Sequence, residues 1–169
     1  MCLYKAKEVT GTGKRKCYKI VGAYIYDGRT SYFSPFMMKS ILAEHINGEQ
    51  ELVPRYKLED YFLKRICAYP YMYDIEGGAV HSYKDKDSAV SAMRATFVPS
   101  PSRWYEIWEC EIDLDNVDYC FEGGSYYGTS YASSSLRFKE KIIEYNQFGY
   151  DGPWQNPVMK IFPADGNTM

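Results

Sequence analysis

The chain has 169 residues, with 46% hydrophobic and 25% charged, so a folded domain is expected rather than a disordered one. Its formal net charge is −2 and its pI is near 5.7, which argues against a dedicated nucleic-acid binder. No apolar run approaches the roughly 18 residues that a membrane-spanning helix needs.

The N-terminal segment has no apolar stretch of the secretory kind, so a cytoplasmic protein without membrane contact is expected. Residues 10–16 are Gly-rich and basic, and read as a loop or hairpin tip. They lack the spacing of a phosphate-binding P-loop. Residues 17–26 are rich in β-branched and aromatic types and predict a strand; Asp27 and Gly28 predict a turn, and 29–33 a returning strand.

Ser34 and Pro35 have the pattern of a helix start. Met38, Ile41, Leu42 and His45 then recur at helical spacing up to Asn47 and Gly48, which read as a helix stop. Residues 58–66 carry a second, shorter helical pattern. Tyr69, Tyr71 and Tyr73 follow around Pro70, which favours an extended contact loop. Residues 79–83 predict a short strand. Asp85 or Asp87 can cap a third helix over 88–96.

Residues 104–114 give the strongest strand. One face, with Trp104, Glu106, Trp108, Cys110, Ile112 and Leu114, is mainly apolar. The other, with Tyr105, Ile107, Glu109, Glu111, Asp113 and Asp115, becomes acidic. Residues 117–121 can pair back, 123–135 read as a long Gly-, Ser- and Tyr-rich loop, and 136–145 lean towards a strand over a helix. From about 146 an irregular tail is expected. The whole reads as one α+β domain over 1–169: an antiparallel sheet of five or six strands with two or three helices.

Five cysteines without a C-x-x-C pair, and two histidines, make a zinc site improbable and suit reduced, buried thiols. The acids Asp113, Asp115 and Asp118 lack the Gly and terminal Glu of a calcium loop, so no metal or cofactor is expected. Eighteen tyrosines exceed what one sheet needs. Tyr offers rigid contact area with a polar tip, and Tyr126, Tyr127 and Tyr131 join Tyr69, Tyr71 and Tyr73 as contact candidates.

Between Trp104 and Gly124 no Lys or Arg interrupts the acids. Glu109, Glu111, Asp113, Asp115 and Asp118 therefore form a candidate surface for a protein with a basic face. A small enzyme is the alternative: Glu109 and Glu111 share a strand face, and Arg29 and His81 could complete an ADP-ribosyltransferase-like site. The chain order of these groups departs from that pattern, because the acids precede the candidate serines between Ser130 and Ser135. Direct nucleic-acid binding through the basic N-terminal third and stacking tyrosines is a further alternative.

The segments 17–21, 34–36, 78–83 with 87–89, and 107–112 resemble, in style, short proteins of bacteriophages and mobile elements. Some of these antagonise host defence, anti-CRISPR proteins among them. The resemblance runs loosely over 17–145 and has no catalytic signature. It implies a non-enzymatic inhibitor of a host defence or nucleic-acid-processing complex, and it carries over no functional residue.

Overall fold

A computed structural model describes residues 3–26, 29–36, 39–40, 43–46, 49–52, 58–64, 79–147 and 158–162. In chain order the elements are β1 (Tyr4–Glu8), β2 (Lys14–Tyr26), β3 (Arg29–Ser34), β4 (Lys39–Ser40), β5 (Ala43–Ile46), β6 (Glu49–Leu52) and β7 (Phe62–Lys64). These are followed by β8 (Val80–Tyr83), α1 (Lys86–Thr96), β9 (Arg103–Asp113), β10 (Cys120–Ser125), β11 (Gly128–Ser133), β12 (Ser135–Asn146) and β13 (Val158–Ile161).

This overturns the α+β expectation. An 11-stranded antiparallel sheet dominates, and among the described residues a single short helix accompanies it, so the fold is closer to all-β. The path through the sheet is β1-β10-β11-β8-β2-β9-β12-β13. β3 and β4 extend from β2, and β7 pairs with β12.

The helix expected after Ser34 is absent from the described residues. Ser34 ends β3 and pairs with Lys39. Ala43–Ile46 pairs with Glu49–Leu52 as a separate hairpin. Only Asn47 and Gly48 separate Ile46 from its partner Glu49, and Asn-Gly is a strong hairpin signal as well as a helix stop. The second helical pattern fails too, because Phe62–Lys64 pairs with 135–137 of β12. The long loop expected at 123–135 is mostly the β10–β11 hairpin, with Ser125 opposite Gly128. Residues 136–145 are strand, and the tail contributes β13, paired from Ile143 to Asn146 of β12.

The third helix forms as α1. The Asp85 side chain accepts the Ser88 N–H at 2.9 Å, which satisfies one free donor of the first turn. Ala89, Ala92 and Met93 are buried against Ile20, Tyr105 and Ile107. The opposite sheet face buries Cys17, Val21, Trp104, Trp108, Cys110, Leu136 and Phe138, with Leu58 and Leu63 packed in. Central β9 is therefore covered on both faces from Trp104 to Trp108 and becomes half-exposed on its acidic side only beyond. Each fully buried Leu, Ile or Phe contributes about 1.5–3 kcal/mol.

Gly22 lies opposite Phe33, and a Cβ there would stand 2.1–2.6 Å from the Phe33 ring. That ring is wedged between Tyr24 and Tyr105, with the Arg103 guanidinium 5.3 Å away. Gly22→Ala is expected to destabilise the fold by about 1–3 kcal/mol in urea unfolding. An unchanged midpoint would show that Phe33 has room to move.

Candidate functional site

The acids of β9 run uninterrupted by a cation in sequence but not in space. β2 and β12 flank β9, and both bring lysines to its acidic face. Lys16 Nζ lies 3.3 Å from Glu109, and Lys14 Nζ 3.7 Å from Glu111. Lys139 reaches Glu111 at 3.9 Å and Asp60 at 3.7 Å. The hydrogen bond from Lys16 to Glu109 pushes the lysine pKa up. Glu109 and Glu111 are thus members of a cross-strand charge ladder.

The remaining acids shape the turn after β9. Asp113 accepts the Asp115 N–H at 3.1 Å and the Asn116 amide at 2.8 Å, and the latter bond holds its carboxyl below the usual range. The Asp115 carboxylate faces the Gly13 N–H at 3.4 Å. Asp118 is exposed, and its N–H donates to Ser134 Oγ. A depression of about 330 Å³ beside this turn is lined by Lys14, Glu111, Asp113, Arg137 and Phe62, two cations against two acids. Among the described residues no three acids, cysteines or histidines converge as metal ligands.

The enzyme candidates are not brought together. Lys16 of β2 pairs with Glu111 and Tyr26 of β2 pairs with Arg29, so Arg29 stands roughly 30 Å along the strand from the acids. His81 is on β8, half-buried opposite Ala132, with β2 between it and β9. Burial pushes the Cys17 and Cys120 thiols up to about 12, which keeps them protonated and poorly nucleophilic.

The tyrosine candidates divide. Tyr69, Tyr71 and Tyr73 lie outside the described residues. Tyr131 is a core residue at 3% exposure. Tyr126 and Tyr127 form the two-residue turn of the β10–β11 hairpin, their rings edge-to-face at 4.9 Å. Tyr127 packs against the core cluster that includes Ala89 and Met93 of α1, while Tyr126 is 88% exposed. Sequence reasoning missed Tyr4, 63% exposed on outer strand β1 and paired with Gly124, two residues before Tyr126. Its position in an otherwise polar strand was the available signal.

Glu106 was also missed. It sits on the expected apolar face at 1% exposure, between two tryptophans of its own strand. Trp104 Nε1 donates to Oε2 at 2.8 Å and Trp108 Nε1 to Oε1 at 2.9 Å. Burial and the neighbouring Glu106 carboxyl push the Tyr32 hydroxyl pKa up. Burial pushes the Glu106 pKa up, against the opposing pull of Lys141 and the two indoles. Enclosed in this way, it organises the core. The signal was the alternation Trp-x-Glu-x-Trp on one strand face.

The last feature is a cleft of about 460 Å³ lined by Lys7, Arg15, Lys84, Glu122 and Tyr131 among others. No helix among the described residues is long and apolar enough to cross a membrane. No family model, curated protein or solved structure matches the chain.

Proposed function

We propose that the chain is a non-enzymatic protein-binding module whose contact surface centres on the β10–β11 turn and the neighbouring end of β1. The exposure of Tyr126 at the tip of a two-residue turn carries this reading. Its neighbour Tyr127 anchors the turn in the core, so Tyr126 is presented with little freedom left to lose on binding. Tyr4 adds a second exposed ring on the adjacent strand.

The charge ladder narrows the acidic half of the reading. Glu109 and Glu111 already have lysine partners, so Asp115 and Asp118 are the exposed acids left to steer a basic partner. The phage-protein resemblance supplies the partner class, a component of a host defence or nucleic-acid-processing complex.

Affinity capture from host extract, with mass spectrometry of the captured proteins, tests this. Tyr126→Ala combined with Tyr4→Ala is expected to weaken capture by about 30-fold or more, as loss of an aromatic hot spot does, with little change in melting temperature. Reversing one ladder pair, Lys16→Glu with Glu109→Lys, is expected to leave capture intact. Undiminished capture by the double Tyr variant would sink the assignment.

A further inference from the structure

Strand β2 meets β8 at one residue pair, Tyr18 with Tyr83, while its N-terminal half continues along β9 as far as Lys14. The sheet divides there, and the cleft of about 460 Å³ lies between the two branches. Three cations reach it from different places in the chain: Lys7 from β1, Arg15 from β2 and Lys84 from the residue after β8. Lys84 is already paired, its ammonium 2.6 Å from Glu122. Among the described residues no carboxylate stands within ion-pair distance of Arg15 or Lys7.

Glu8 also lines the cleft, so its three cations and two acids leave one positive charge uncompensated. Arg15 is half-buried, and its Nη2 lies 3.7 Å from where a Cβ on Gly11 would stand, which places the guanidinium beside the loop that forms one wall. Thr10 and Tyr131 line the same space and carry hydroxyls.

We propose that this cleft binds a small ligand through one oxyanion group, a phosphate or a carboxylate, with Arg15 as the principal contact. A guanidinium presents two parallel N–H donors to such a group, and a partly desolvated arginine lacking a counter-charge gains most from one. The volume falls within the range of small-molecule sites, about 300–1,000 Å³, and leaves room for more than a bare ion. The Lys84–Glu122 pair borders the site and holds Lys84 in place beside it.

The test is an NMR titration of the full chain at low ionic strength with inorganic phosphate and, separately, acetate, against chloride at matched ionic strength. The expected result is saturable movement of the Thr10, Arg15, Lys84 and Glu122 amides with at least one of the two. The anion that saturates at lower concentration identifies the group. Arg15→Gln is expected to weaken that binding by about tenfold or more. Should Arg15→Gln fail to fold, Lys7→Gln at an exposed position takes its place, with a smaller weakening expected. The proposal is overturned if chloride reproduces the shifts, if amides near Lys14 and Arg137 move as much, or if the folded variant titrates like the parent chain.

Discussion

Glu106→Ala is expected to destabilise the protein by about 3–5 kcal/mol, the largest effect of any single polar side chain described, because it removes the shared acceptor of buried donors. The Trp104 and Trp108 indoles both donate to this carboxylate. Each donor left buried without a partner costs about 1–3 kcal/mol. Glu106→Gln retains one carbonyl oxygen for one indole and turns an amide against the other, so it should cost less than alanine. Urea unfolding of the three proteins gives the order directly. An alanine variant as stable as the parent would mean that the indoles find other acceptors.

The same side chain makes stability depend on pH, with a sign opposite to the usual carboxylate. Burial raises the folded-state value above the ordinary 4.5, so the folded protein holds this proton more tightly than the unfolded chain does. The contribution of the group is therefore fully present below the unfolded value and is lost as pH rises through the folded one. Over the interval upward from the ordinary 4.5 the parent chain should lose stability relative to Glu106→Gln. A stability difference that stays constant over this interval would mean that the indole donors and Lys141 outweigh desolvation.

How far the sequence could be read depended on whether a feature was local. The strand over 104–114 and the helix after Asp85 were legible because each rests on periodicity within one segment and, for the helix, a cap. The 34–47 region was misread because its spacing suited a helix while Asn47-Gly48 suits a helix end and a hairpin equally. The lysine partners of the acidic surface were not legible for a different reason. Lys14, Lys16 and Lys139 stood in view, alternating along their own segments, but only the register of β2 and β12 on β9 sets them beside Glu109 and Glu111. The cleft was invisible for the same reason, since β1, β2, β10, β11 and the residue after β8 each supply part of it. Pairing partners far apart in the chain are not encoded in local periodicity.

Gly128→Ala is expected to show how tightly the fold holds its proposed contact surface. Gly128 closes the Tyr126–Tyr127 turn with φ at +141°, in a region essentially restricted to glycine. A Cβ there would also stand 2.1 Å from Ser88 Oγ, which is committed to Asp85 at 2.9 Å in the cap of α1. Backbone strain and overpacking each cost about 1–3 kcal/mol, so a combined loss of about 3 kcal/mol is expected in urea unfolding. Adding Ser88→Ala removes the colliding hydroxyl but not the φ strain, so it should recover only part of the loss. The turn must shift to admit the methyl group, and Tyr127 leaves its place on the core as it does. Partner capture by Gly128→Ala should therefore fall even at temperatures where the variant is fully folded. Gly22→Ala, comparably destabilised but on the other side of the sheet's division, should capture normally once folded. If the two variants lose capture in proportion to their stability alone, the turn has no special part in binding.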